Sequence, residues 1–284
     1  MKADMHVHSV RSDGEFTAKE LARRAAENGV QLLCITDHDN FGGYGQKRAA
    51  LRSAGIVSVP GVEISAYEGK IKLHLTGYGF DPSAPRLGAI QRTLTEGARE
   101  RMYDTLFRLK KYKGYALNEN EIYAQQRAEG PVHTMHVVRA LVSRGYYPDV
   151  TAAFRDCFIP GLPTYSFVGR PTPEWAIDAL HSLGGIICIA HPGRIYLAAE
   201  EKEKTIRRLV KAGVDGMECF YSSHTERETE YFLRLAEELG ILVSGGSDFH
   251  ADGSGRTIGV PHFEPSQAFL RAVRFHRFQG DGNE

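Results

Sequence analysis

Apolar residues recur along this chain in short runs of strand length, at residues 5–7, 31–36, 185–190, 215–220 and 240–244, with polar stretches of helical periodicity between them. Most of these runs lack the in-out alternation of a half-solvated strand, so they predict strands covered on both faces. Two intervening stretches open with a Ser/Thr-x-x-Glu capping box, at Thr17 with Glu20 and at Thr225 with Glu228. Alternation of strand and helix predicts an α/β architecture with a parallel sheet wrapped by helices, either a barrel or a doubly wound fold.

The pattern changes between residues 87 and 168. Two long helical stretches, a YYPDV turn and then Pro160, Gly161 and Pro163 appear there, with no buried strand. This predicts a small helical insertion, or cap, over residues 87–168, and a main domain made of residues 1–86 and 169–284. In GPVHTMHVVRALVSRGYY, His136, Val137, Ala140 and Leu141 recur at helical spacing and predict a packed face, with His133 and Arg139 turned elsewhere. Residues 271–284 predict a short, solvated basic helix with a polar tail.

Composition narrows the function classes. A chain of 284 residues with 42% hydrophobic content can bury a large core. Lys plus Arg and Asp plus Glu number 35 each, so no long-range field recruits long nucleic acid or an anionic membrane, and an anionic substrate has to be captured locally. No apolar window approaches the length of a signal peptide core or a membrane span, which predicts a cytoplasmic protein without a membrane partner. Cys34, Cys157, Cys188 and Cys219 lack the paired spacing of zinc or dithiol motifs and read as reduced core residues. No exposed apolar stripe marks an oligomer contact.

Candidate chemistry lies at the ends of the apolar runs. His6 and His8 share one face of the first run because strand side chains repeat every two residues. Asp13 follows in SDGE, LLCIT leads into Asp37, His38 and Asp39, GVEIS carries Glu63, and KLHLTGYG carries His74. IICIA leads into His191, and ILVSGGSD into Asp248 and His250. In parallel α/β folds the carboxyl ends of strands converge on one rim, where sites are built. Any one of these residues alone reads as a satisfied core or turn residue. Together they would bury many polar groups on one rim unless cations satisfied them, and imidazole with carboxylate suits Mn²⁺, Fe²⁺ or Zn²⁺.

The motifs HVHSVRSDG, ITDHDNFGG, GVEIS, LHLTGYG, AHPGR and GGSDFHADG, in that order, resemble the PHP family, named for polymerase and histidinol phosphatase. The resemblance covers nearly the whole chain and implies a distorted (β/α)7 barrel with three divalent ions, Mn²⁺ first among them. Carried over position by position, it implies one ion on His6, His8, Glu63 and Asp248. Glu63 would bridge to a second ion on His74 and His191, and Asp13, His38 and His250 would hold a third. Asp13, Glu63 and Asp248 would leave an excess of positive charge, an anion trap for phosphate. The implied chemistry is attack on phosphorus by a metal-bridging hydroxide.

Arg194, beside His191 in AHPGR, is a candidate phosphate clamp, and His224 in YSSHTER a candidate proton donor or phosphate ligand. His136, Arg139 and Arg170 are further candidate substrate contacts. A family segment with an arginine shortly before the histidine aligned with His136 has Thr134 there in this chain. Tyr165 and Phe167 are candidate pocket aromatics, and His181 and His262 read as structural. The resemblance favours hydrolysis of a small phosphorylated ribose or nucleotide, whether a phosphomonoester, a nucleoside 3′,5′-bisphosphate or a cyclic ribose phosphate diester. A 5′–3′ exonuclease on short RNA or DNA and a non-catalytic metal-binding domain are the alternatives, the latter opposed by the full ligand set.

Overall fold

The computed structural model describes residues 1–275. Strands β1 (Ala3–Val7), β2 (Leu32–Ile35) and β3 (Val57–Ser58) form a parallel sheet in that order. Strands β4 (Gly61–Glu68), β5 (Ile71–Tyr78), β6 (Ile186–Ile189), β7 (Gly216–Tyr221) and β8 (Leu242–Gly246) form a second sheet, also in chain order. Backbone hydrogen bonds join the two sheets at both edges. Asp248 N–H donates to His6 O at 2.7 Å and His8 N–H to Phe249 O at 2.9 Å, while Asp39 N–H donates to Glu63 O at 2.8 Å. Only Val59 and Pro60 separate β3 from β4, so these two form one interrupted stave and the eight strands make a ring of seven. This is a distorted seven-staved α/β barrel, as the resemblance implies.

One expectation needs correction. The sheet is not wholly parallel, because β5 runs antiparallel to both β4 and β6. A tight turn of Gly69 and Lys70 links β4 to β5, and Gly69 takes the positive φ (58°) that such a reversal requires. A reversed strand meets the rim with its beginning, which is why His74 sits in the first half of β5 rather than at its end.

Helices α1 (Ala18–Glu27) and α2 (Tyr44–Ser53) cover β1 and β2 through Leu21, Ala25 and Leu51. Four helices follow β5: α3 (Leu87–Lys113), α4 (Glu119–Tyr123), α5 (Thr134–Ser143) and α6 (Val150–Cys157). The two long helical stretches expected for residues 87–168 are thus one 27-residue helix and three short ones. Met102, Leu109, Ile122, Val138, Leu141 and Phe158 give this segment an apolar cluster of its own. Helices α7 (Pro173–Ser182), α8 (Ala199–Lys211) and α9 (Glu226–Leu239) cover the second sheet through Ile177, Leu209 and Phe232. Both expected capping boxes are present, Thr17 with Glu20 opening α1 and Thr225 with Glu228 opening α9.

Helix α10 (Gln267–Ala272) packs Phe269 and Val273 against Cys34, Tyr78 and Cys188, closing the end of the barrel opposite the ligand rim. It occupies only the start of the expected basic helix at 271–284, most of which lies outside the described residues. Among the described residues no helix is long and apolar enough to cross a membrane.

Closure of the ring depends on Gly246. A Cβ there would stand 2.4 Å from His6 Cβ and 2.6 Å from His6 N, both fixed by the β1 backbone. Gly246→Ala is therefore expected to destabilise the fold by about 1 to 3 kcal/mol through overpacking. Urea unfolding checks this, and an unchanged midpoint would mean that β1 and β8 are not held this closely.

Candidate metal centre

The residues flagged at the ends of the apolar runs meet at one mouth of the barrel. Glu63 on β4 is fully buried and lies at their centre. Its Oε2 faces His6 Nε2 at 3.2 Å, His8 Nε2 at 3.1 Å and His38 Nδ1 at 3.1 Å. Its Oε1 faces His74 Nδ1 at 2.7 Å and His191 Nε2 at 2.9 Å. The carboxylate thus turns one oxygen to each of two imidazole sets. Asp248 Oδ1 lies 3.5 Å from His6 Nε2, 3.2 Å from His8 Nε2 and 3.4 Å from His250 Nδ1. Asp13 lies 3.8 Å from both His8 and His38 and 3.4 Å from His250.

Burial opposes the charge on Glu63, but His38, His74 and His6 outweigh it and hold the carboxyl well below its ordinary pKa. Burial pushes His74 itself the other way from a gained charge, well below the ordinary imidazole value.

These separations fit divalent ions. Donors each about 2.0 to 2.2 Å from one ion lie roughly 3 to 3.5 Å from each other. The ligand atoms fall into three overlapping groups: His6, His8, Glu63 and Asp248; His38, Glu63 and His74; and His8, Asp13, His38 and His250. His8 Nδ1, Asp13 Oδ1, His38 Nδ1, Glu63 Oε2 and His74 Nε2 are buried without a hydrogen-bond partner. Acceptors facing one another in this way are satisfied by cations rather than by protein donors.

Supporting residues hold the ligands in place, and of these Glu218, Tyr221, Arg256 and Lys47 were not assigned from the sequence. Glu218, fully buried on β7, approaches His6 Nδ1 at 3.0 Å and accepts from His191 N–H at 2.6 Å. It therefore directs His6 Nε2 toward Glu63 and restrains His191, whose φ of 28° is strained for a non-glycine residue. Its signal in the sequence is an acid inside the apolar run GMECF. Tyr221 O–H donates to Asp248 Oδ2 at 3.0 Å, and Arg256 Nη1 approaches the same oxygen at 2.8 Å, leaving Oδ1 for the histidines. Asp37 accepts from Ser9 N–H at 2.7 Å and Ser12 O–H at 2.9 Å and pairs with Lys47 Nζ at 2.6 Å, anchoring the loop that carries Asp13. Burial opposes its charge, but Lys47 prevails and brings Asp37 down to about 2.

A cleft of about 780 Å³ opens between this rim and the helical segment, lined by Asp13, His38, His74 and, of the candidate substrate contacts, Arg170, Arg194 and Tyr165. The others lie elsewhere. His224 is tied by both nitrogens to backbone, Nε2 accepting from Gly193 N–H at 3.1 Å and Nδ1 donating to Cys219 O at 3.0 Å. It steadies the turn that bears Arg194 and has no nitrogen left for a substrate, which corrects its assignment as proton donor. His136 Nδ1 accepts from His133 N–H at 2.9 Å and its ring also bonds the Ser12 backbone, while Arg139 donates to Asp13 O at 3.3 Å. These two side chains dock the helical segment on the Asp13 loop instead of meeting substrate. Phe167 packs on Tyr67 and Tyr165. His133, not assigned from sequence, lines the cleft with its Nε2 unpartnered.

Comparison with known proteins agrees with this geometry. The PHP domain family matches residues 4–155. The chain belongs to the PHP family. A 3′,5′-nucleoside bisphosphate phosphatase from Chromobacterium violaceum is 34% identical over 95% of this chain and 94% of its own length. A 5′-3′ exoribonuclease from Haemophilus influenzae is 32% identical over 88% of this chain and 90% of its own. Among solved structures, an amidohydrolase from Chromobacterium violaceum, with bound sulfate and no metal, superposes with a TM-score of 0.84 at 31% identity, covering 96% of each chain.

Two substitutions test the supporting contacts of this PHP-family site. Glu218→Gln keeps the volume but not the paired acceptors, and is expected to weaken metal affinity roughly 10- to 100-fold with the fold intact. Competition with a chromophoric chelator measures it, and wild-type affinity would remove Glu218 from the ligand support. Lys47→Met leaves a buried, unpaired Asp37 and is expected to cost about 3 to 5 kcal/mol in urea unfolding. A loss under 1 kcal/mol would mean that the pair is not the anchor of the Asp13 loop.

Proposed function

We propose that this enzyme hydrolyses a phosphoester of a small phosphorylated ribose or nucleotide at a centre of three divalent ions, Mn²⁺ foremost, with Fe²⁺ or Zn²⁺ able to replace it. The observation that carries this reading is the Glu63 carboxylate, buried and turned with one oxygen to His6, His8 and His38 and the other to His74 and His191. When bound, the ions supply Lewis acidity, charge neutralisation at phosphorus and water of lowered pKa.

The chain supplies position and local charge. Glu63 and Asp248 orient the imidazoles, and Glu218 keeps the His6 ring in register. Burial works against the charge of Arg194, and Tyr221 and Asp248 more than restore it, so its guanidinium stays protonated. Arg194 Nη1 donates to Tyr221 O–H at 3.1 Å, which leaves its other donors for a phosphoryl oxygen. Burial drives His133 well below the ordinary imidazole value, so a neutral ring with a free Nε2 faces the substrate.

Residues 87–168 act as the cap, bounding the cleft and excluding bulk water. The relatives support phosphoester hydrolysis as the activity class, being a bisphosphate phosphatase and an exoribonuclease. A cleft of about 780 Å³ under a cap fits a mononucleotide better than a polymer track, which ranks exonuclease action second. A solved relative holds sulfate with no metal present, so that protein accepts a tetrahedral anion. Four buried, unpaired cysteines suit a reducing cytoplasm.

Phosphate release with Mn²⁺ over ribose phosphates, nucleotides and nucleoside bisphosphates tests the reading. Turnover is expected on a small phosphorylated nucleoside or ribose, lost on chelation and regained with Mn²⁺. Asp248→Ala and His191→Ala are each expected to cost more than the roughly 10- to 100-fold of a supporting residue. No release from any substrate by metal-loaded protein, or full turnover by either variant, would overturn it.

A further inference from the structure

One buried imidazole nitrogen is left over by the ligand sets. His133, the N-cap residue of α5, is 8% exposed and lines the cleft together with Asp13 and His38. Its Nε2 is buried without a hydrogen-bond partner, as are His8 Nδ1, His38 Nδ1 and His74 Nε2. Those three atoms belong to side chains of the metal centre, whereas His133 is absent from the nine positions that the family resemblance supplies. An unsatisfied buried nitrogen costs roughly 1 to 3 kcal/mol, so its position calls for a partner.

The surroundings indicate which partner. The His133 ring centroid lies 6.1 Å from that of His38, the same separation as between His38 and His250. His38 and His250 belong to one group of ligand atoms with His8 and Asp13. By the family resemblance the first ion takes four side chains and the third only Asp13, His38 and His250, one donor fewer. The third set is also the most open part of the centre. Its side chains are 13% to 22% exposed, against 0% to 4% for His6, His8, Glu63 and Asp248. His133 stands on that open side, and imidazole nitrogen is a donor that Mn²⁺, Fe²⁺ and Zn²⁺ all accept. The ring is held there by the protein alone. His133 N–H donates to His136 Nδ1 at 2.9 Å, and Arg139 on the same helix donates to Asp13 O at 3.3 Å.

We propose that His133 is a tenth donor of the metal centre, supplied by the helical segment to the ion that Asp13, His38 and His250 would hold. The inference rests on the three-ion reading and goes beyond it. The third ion would join the barrel to the helical segment, so its affinity depends on a residue outside the barrel, and its loading would steady the segment that bounds the cleft.

Metal binding to the full chain tests it. Chelator-treated protein is titrated with Mn²⁺ in competition with a chromophoric chelator, and the Co²⁺-loaded form is read by its visible absorption, which follows the number and kind of donors. Wild type is expected to bind three ions. His133→Ala is expected to keep two at wild-type affinity, to bind the third about tenfold or more weakly, and to shift the Co²⁺ absorption. Circular dichroism checks folding, and His133→Phe, which keeps the ring's bulk without a donor, serves if the alanine variant does not fold. Three ions at wild-type affinity with an unchanged Co²⁺ spectrum in a folded variant would overturn the assignment, and a change confined to KM on a phosphorylated substrate would then make His133 a substrate contact. Fewer than three ions on wild type would instead overturn the three-ion reading, and the His133 donor with it.

Discussion

A single carboxylate, Glu63, is wholly buried with imidazole nitrogens of five histidines at 2.7 to 3.2 Å from its oxygens. Such an arrangement is unfavourable for protein groups alone, since neutral rings cannot all donate and charged rings would repel one another in a dry interior. Metal ions would remove the conflict by accepting these lone pairs. The rest of the architecture can be read as what brings these atoms together: a ring closed between β1 and β8 at Gly246, a reversed β5 that delivers His74, and a strained turn that delivers His191.

The support around the ligands follows the same logic. Glu218 takes the far side of the His6 ring, Tyr221 and Arg256 take the second oxygen of Asp248, and Asp37 with Lys47 fixes the loop of Asp13. Each uses hydrogen bonds to remove a freedom that a metal site cannot tolerate. His136 and Arg139 extend this to the helical segment after β5, tying it to the backbone of Ser12 and Asp13, so that the cleft and the metal centre share one loop.

Much of the barrel was legible because its strands are short apolar runs followed at once by polar ligand residues, a pattern with few other physical meanings. The capping boxes at Thr17 and Thr225 marked helix starts correctly because they are local. The direction of β5 was not legible, since strand character carries no polarity and the Gly69–Lys70 turn is short. Side-chain aim was the other failure. His224 and His136 have the residue type of a proton donor, and only coordinates reveal that backbone groups already occupy both nitrogens. Glu218 was hidden inside a strand that otherwise reads as core.

Glu63 is placed to join neighbouring cations. Anomalous diffraction at the absorption edge of the bound metal, from crystals grown with Mn²⁺, tests it most directly. Ions are expected on both sides of the Glu63 carboxylate, one shared with His6, His8 and Asp248 and one with His74. Crystals that carry metal with none at coordination distance from Glu63 would contradict it.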